Sequence, residues 1–310
     1  MYINDLILFK REKKENVSID LIKETMSKVS RPSWAEFENN ISPIWRKVLN
    51  GPSSDIKQVF NANETMLKKL YENFFINGLS EGAAIGKKMY HPRSFLKIAT
   101  RERRRLRSIK RLEEKEKLHF DFNLYDFGQP WKMRFDGDLL NFELFDHFYF
   151  ANFCYNLLKM YNIKDLVFLG DGCGYLAQAV CSLDCGKELK SITMIDLYHF
   201  LFRQGLLLST FSNTIDLEFL NGERSNYPTN LKRKALINQD SLPEINSQSQ
   251  DKYFDYIISN NIELLISYNK VDETIGHEEF RNRANKVFNN KFICIESELR
   301  PGYWLEAWHV

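Results

Sequence analysis

Residues 167–177, VFLGDGCGYLA, place three glycines at alternate positions, Gly170, Gly172 and Gly174, between an apolar run and the helical pattern YLAQAVCSL. Strand, glycine turn and helix in that order make a backbone cradle, because a chain without Cβ atoms can turn left-handed and lie close against a nucleotide-like ligand. Asp171 sits inside the turn, where it either compensates for a missing acid or caps the turn. More polar residues end later apolar runs: Asp196-Leu197 after SITMI, Gln239-Asp240 after ALIN, and Asn260 in FDYIISNN. If each run is a parallel strand, these side chains gather at the carboxyl ends of the strands, where open α/β sheets bind ligands. Three side chains could take a proton from a bound hydroxyl: His199, three residues after Asp196; His277; and Glu263, just after FDYIISNN.

The elements that must position these residues follow from the apolar periodicity. From residue 165 onward, DLVFLG, SITMID, KALINQD, FDYIISN, KFICIESE and YWLEAWHV read as six strands. YLAQAVCSL, YHFLFRQGLLLSTF and DETIGHEEFRNRANKVF read as helices between them. Short apolar strands alternating with helices predict a parallel sheet covered on both faces. Residues 1–117 read as helices, broken at Arg31-Pro32, Gly51-Pro52 and the stretch from Gly78 to Gly86. LHFDFNLYDF alternates as an extended segment, WKMRFDGDLLNF as a hairpin about Asp136-Gly137, and residues 141–161 as a buried aromatic helix. The expected division is a helical region over 1–117, forming the acceptor side or an oligomer contact, and a ligand-binding α/β domain over 118–310.

Composition narrows the function classes. The 310 residues are 44% apolar and 27% charged with net charge +2, ordinary for a globular protein. No run of 18 apolar residues occurs, which argues against a membrane span. The N-terminus MYINDLILFKREKKEN puts its apolar patch before its charges, the reverse of a secretory signal, so a cytoplasmic chain is expected. Five cysteines, an odd number, fit reduced thiols; Cys181 and Cys185 lack a second pair and read as packing rather than zinc ligands. No compact Asp/Glu cluster lies near the strand ends, so no metal is expected. The run RERRRLRSIKRLEEKEK over 101–117 turns from basic to acidic within one helix and reads as internally compensated, so nucleic acid is not expected as a partner.

Three cradles compete for VFLGDGCGYLA. A P-loop is excluded because no Lys follows the glycines, and GLSEGAAIGKK at 78–88 has the wrong spacing. A dinucleotide fold wants G-x-G-x-x-G/A, which Gly172, Gly174 and Ala177 satisfy with Asp196 as the acid, but no second nucleotide-binding half follows. The third is G-x-G-x-G with a ribose carboxylate at Asp196, an adenine contact at Gln239-Asp240 and amides at the next strand end. With these residues the chain resembles class I S-adenosylmethionine-dependent methyltransferases. More narrowly it resembles a bacterial family of sugar O-methyltransferases, through GQPWKMRFDGDLLNFELFDHFYFANF, FLGDGCGYLA, MIDLYHF and IISNNIELL, over about residues 120–300.

The resemblance implies a Rossmann-like α/β sheet, mostly parallel, with an antiparallel C-terminal strand. It implies S-adenosylmethionine as cofactor, held by Gly170, Asp171, Gly172, Gly174, Asp196, Leu197, Gln239, Asp240 and Asn260. It further implies in-line methyl transfer to a hydroxyl of a sugar or glycan precursor, with His199, His277 or Glu263 as base. Tyr198 would shield the adenine or pack, Gln129 and Trp131 would line the acceptor cleft unless Trp131 is a core residue of the hairpin, and homo-oligomers are compatible. The chain departs from the pattern at Phe168, where an acid is usual, at Tyr198, where Pro is frequent, and in offering six strands for seven. A nicotinamide-dependent oxidoreductase and a non-catalytic scaffold that keeps the fold stand as the alternatives.

Overall fold

A seven-stranded sheet organises the chain in a computed structural model. It describes residues 10–11, 17–40, 56–72, 92–122, 124, 131–135, 138–141, 144–211, 213–222, 235–245, 247–271, 276–289 and 291–310. The chain starts with a two-residue strand, β1 (Lys10–Arg11), and helix α1 (Ile19–Lys28). Ser18 caps α1 by accepting a hydrogen bond from the Leu21 amide at 3.0 Å, with Asp20 in the first turn and Lys28 in the last to match the helix dipole. Helices α2 (Trp34–Asn40), α3 (Ile56–Val59), α4 (Glu64–Glu72) and α5 (Pro92–Glu116) follow. Strands β2 (Trp131–Phe135) and β3 (Asp138–Asn141) form the expected hairpin, with β1 added antiparallel to β2. Helix α6 (Leu144–Met160) buries Leu144, Phe145, Phe148, Phe150, Cys154 and Leu158, as its aromatic sequence predicts. The segment at 118–122 carries no ladder; Phe120 and Phe122 instead pack on Phe148 of α6.

The large sheet consists of β4 (Asp165–Leu169), β5 (Ser191–Asp196), β6 (Asp216–Asn221), β7 (Ala235–Gln239), β8 (Leu264–Lys270), β9 (Lys291–Glu296) and β10 (Tyr303–His309). Its order is β6-β5-β4-β7-β8-β10-β9; β10 is antiparallel to both neighbours and the other pairings are parallel. This is a Rossmann-like α/β fold with an antiparallel C-terminal strand. Helices α7 (Tyr175–Ser182) and α8 (Tyr198–Leu208) cover one face with α6 and the N-terminal helices in one continuous core. Helices α9 (Ser247–Ser259) and α10 (His277–Phe288) cover the other face.

Two sequence expectations are corrected here. The segment containing FDYIIS is helix α9, not a strand: Gln250, Tyr253, Phe254 and Ile257 are buried at spacings of three and four, a helical period. The strand begins after it, at the near-continuous apolar run LLIS. The seventh strand is β6, whose sequence DLEFLN half-exposes its first residues and blurs the pattern. Asp196 therefore pairs with Asn221, and Gln239 ends the fourth strand in chain order rather than the third.

Candidate functional site

The carboxyl edge of the sheet brings the glycine turn, Asp196-Leu197 and Gln239-Asp240 together. Gly170, Gly172 and Gly174 have φ of 69°, 60° and 84°, all left-handed, so the turn requires glycine at each. The Gly172 amide donates to Asp196 Oδ2 at 2.8 Å, and its carbonyl accepts from Gln204 Nε2 at 3.0 Å. Among the described residues a Cβ built on Gly172 meets nothing within 4 Å, so this turn is open to a ligand on that side. At Gly170, by contrast, a Cβ would lie 2.2 Å from Ser241 Oγ.

Asp196 is 8% exposed and accepts three hydrogen bonds: from the Leu197 amide on Oδ1 at 2.7 Å, and from Gly172 and Gln204 on Oδ2 at 2.8 and 2.7 Å. A carboxylate offers about four acceptor positions, so one remains on Oδ1 and a second opens if Gln204 turns aside. Burial pushes Asp196 up to about 7, against the lowering effect of those same three donors.

Of the two roles left open for Asp171, the structure gives it the capping one. Its carboxylate accepts from the Leu176 and Ala177 amides at 3.1 and 2.8 Å, at the N-terminus of α7. Burial pushes it up to about 8, with the neighbouring Asp196 adding to the rise. A dinucleotide cradle aims those helix-start amides at a pyrophosphate. Here a side chain of the protein already occupies them.

Other expected residues separate by edge and by burial. Gln239 is at the carboxyl edge but 5% exposed, its Oε1 3.1 Å from Nδ1 of His147, which burial lowers to about 3. Asp240 is partly exposed and accepts from Arg300 Nη1 at 2.6 Å. Asn260 and Glu263 lie before β8, at the amino edge, on the order of 20 Å from the glycine turn along a strand. There Asn260 donates to the Tyr256 carbonyl at 2.9 Å and the Glu263 carbonyl accepts from Val310. Neither reaches the site, because the run thought to end in them is a helix leading into β8.

The two histidines are internal. His199 is 0% exposed, packed edge-on to Phe37 and against Phe200, and burial lowers it to about 3, so it is neutral and sealed from any acceptor. His277 is 3% exposed with Nε2 2.9 Å from Glu306 Oε2, and Arg281 Nε donates to the other oxygen at 2.7 Å. Both leave the list of bases. His277→Gln, which keeps a donor toward Glu306, is expected to change cofactor-product affinity less than about twofold while costing about 1 kcal/mol of stability; calorimetry and thermal melts on one preparation check it. Tyr198 is buried and its hydroxyl accepts from Arg31 Nε at 2.9 Å, a packing role rather than an open shield. Phe168 is 0% exposed in the core. Gln129 lies outside the described residues, and Trp131 is placed only as the start of β2.

The sequence reading passed over a buried amide network. Asn238 donates to the Leu169 carbonyl at 2.9 Å and to Ser241 Oγ, Asn269 donates to Asn238 Oδ1 at 2.8 Å, and the Ser241 amide donates to Asn269 Oδ1 at 3.2 Å. This clamps the turn after β7 against the glycine turn. The signal was present: an Asn inside the apolar runs ALINQ and LLISYNK needs a partner once buried. Arg105 of α5 also went unnoticed; it pairs with Asp146 and Glu102, and Arg300 lies 3.7 Å from Asp146, so α5 and α6 meet the last strand pair beside Asp240. Among the described residues no three His, Cys, Asp or Glu side chains converge as a metal site, and no helix is long and apolar enough to cross a membrane.

No family model and no curated protein matches the sequence. Solved structures do resemble it. The small RNA methyltransferase HEN1 aligns at 13% identity and TM-score 0.40, over 51% of this chain and 24% of that one. The N-methyltransferase NodS from Bradyrhizobium japonicum WM9, in complex with S-adenosyl-L-homocysteine, aligns at 10% identity and TM-score 0.41, over 51% and 84%. A family 2 O-methyltransferase from Planctomyces limnophilus aligns at 11% and 0.37, over 52% and 61%. The chain spans about a quarter of the HEN1 length, and the fold assignment rests on strand order and direction.

Proposed function

We propose that this protein is an S-adenosylmethionine-dependent methyltransferase acting on a hydroxyl of a small, sugar-containing acceptor. The observation that carries the reading is the left-handed Gly172, uncovered among the described residues while its amide is tied to Asp196 on the neighbouring strand. A glycine turn with a carboxylate beside it fits an adenosyl group: backbone against the methionine portion, carboxylate for the ribose hydroxyls. The cofactor, when bound, supplies an electrophilic methyl group. The chain's part is to bind it, hold the acceptor oxygen in line, and exclude water. With His199, His277 and Glu263 elsewhere, Asp240, partly exposed at this edge and held by Arg300, is the carboxylate we assign as the candidate base. The meeting of Arg105 and Asp146 with Arg300 supports giving the helical N-terminal region the acceptor side.

Asp171 separates this reading from a nicotinamide-dependent oxidoreductase. Its carboxyl group sits on the amides that a pyrophosphate would need, whereas S-adenosylmethionine carries no phosphate. Titration calorimetry with S-adenosylhomocysteine and with NADH tests the choice. Saturable binding of the first and none of the second is expected. NADH binding would mean the glycines serve a dinucleotide, and no heat from either would leave a scaffold without a cofactor.

A further inference from the structure

We propose that the outward face of α5 is a docking surface for the phosphodiester backbone of a nucleic acid, contacted without sequence selection. At 100° per residue, α5 divides into two faces. The inner face carries Glu102, Leu106, Ile109 and Glu113, all buried. The outer face carries Lys97, Arg101, Arg104, Arg107 and Arg111, all exposed. The sequence run looks compensated because it turns from basic to acidic within one helix; in the fold Glu102 and Glu113 lie on the inner side, away from the outer cations. Glu102 is used by Arg101 and Arg105, and Glu113 by Lys110 and by the Phe120 amide at 2.6 Å. Among the described residues no carboxylate pairs with Lys97, Arg104, Arg107 or Arg111. Four cations with no carboxylate partner among the described residues, with Arg101 beside them, thus line a ridge of about 21 Å at 1.5 Å per residue.

The chemistry of the ridge favours phosphates. Four of its five cations are arginines, whose planar fork matches phosphate oxygens better than an ammonium does. Thr100 and Ser108 lie between them, Leu106 and Ile109 are buried on the inner face, and the ridge itself carries no apolar side chain to enter a bilayer as an amphipathic membrane helix must. The ridge also lacks the aromatic or apolar anchors on which protein interfaces concentrate their affinity. Spaced along one straight helix face without aromatics or amides, its cations match the repeating backbone phosphates, which position a protein without selecting sequence. The inference does not depend on the methyl-donor reading.

Fluorescence anisotropy with a labelled 20-nucleotide single-stranded RNA and a DNA duplex of equal length, between 50 and 200 mM salt, tests it. Each phosphate neutralised contributes about −0.7 (single strand) to −0.9 (duplex) to the slope of log K against log salt. Wild-type protein should bind with a slope of about −3, and Arg104→Gln/Arg107→Gln/Arg111→Gln should shallow that slope by about 2 and weaken binding at least tenfold at 50 mM. A charge-matched control, Lys187→Gln/Lys190→Gln/Lys286→Gln, should leave both within about twofold, and circular dichroism melts should show all three proteins equally folded. No binding at 50 mM, equal losses in both triple variants, or stronger binding to vesicles of phosphatidylserine than to either nucleic acid would each overturn the proposal.

Discussion

Asp196→Ala is expected to weaken S-adenosylhomocysteine binding by at least about a hundredfold in titration calorimetry. Two ribose hydroxyls donating to one carboxylate make two charge-assisted hydrogen bonds, each worth about 1.5–3 kcal/mol. At about 1.4 kcal/mol per tenfold, their loss is about two to four orders of magnitude. The substitution also removes the partner of the Gly172 amide and of Gln204, so the turn loses its tether at the same time. Protonation works in the same direction. Asp196 titrates near 7 in the fold against an ordinary value of 3.8, so the folded state holds this proton more tightly than the unfolded chain does. Its contribution to stability is fully present below about pH 4 and is lost as pH rises through about 7. Affinity runs the other way, since the ionised carboxylate is the better acceptor. Between pH 6 and 8 the product should bind several-fold more tightly while the melting temperature of the ligand-free protein declines. Asp171, pushed up to about 8, adds to that decline. Asp196→Ala should flatten the affinity profile and remove part of the stability trend. A wild-type affinity that does not change with pH would take the ribose role away from Asp196.

Gly170→Ala is the second large effect, and it is a loss of structure rather than of a contact. The added Cβ would lie 2.2 Å from Ser241 Oγ and 2.4 Å from Ser241 Cβ, and φ is +69°. The left-handed backbone alone costs about 1–2 kcal/mol for a non-glycine residue. Ser241 cannot withdraw freely, because its hydroxyl donates to the Leu169 carbonyl at 3.0 Å and its amide is bound by Asn269. Overpacking of this kind adds about 1–3 kcal/mol, so the total is about 2–5 kcal/mol. Thermal unfolding should show a drop of roughly 5–15 °C, at the 2–4 °C per kcal/mol typical of larger domains. Ser241→Gly in the same chain removes both clashing atoms and should return part of the loss. Gly172→Ala makes the contrast: its Cβ meets nothing among the described residues, so backbone strain is the expected cost to stability, while the methyl group enters the space assigned to the ligand. A Gly170→Ala protein that melts like wild type would show that the β7 turn is not clamped on the glycine turn.

The legible part of the site is the part written locally. Three glycines between an apolar run and a helix fix a left-handed turn, since other residues pay for that conformation at every position. Asp196 after SITMI and the hairpin about residues 136–137 are legible for the same reason: each is set by the period and turn chemistry of a dozen neighbouring residues. Helix α6 was equally plain, because an aromatic run of that length must be buried.

What tertiary structure decided is which of two local patterns wins and where its end points. The residues of YFDYIIS suit either period, and packing of Tyr253, Phe254 and Ile257 on one sheet face selected the helix. That choice carried Asn260 and Glu263 to the far edge of the sheet. His199 and His277 looked available because a sequence does not state depth; Phe37 lies against the first and Glu306 pairs with the second, each from more than 25 residues away. The run over α5 turns from basic to acidic along the chain, and burial of one helix face, which takes Glu102 and Glu113 inward, leaves Arg104, Arg107 and Arg111 with no carboxylate partner among the described residues. Side-chain type and spacing are properties of the chain; edge, depth and counterion are properties of the packed molecule, because each depends on residues that meet only when the sheet closes.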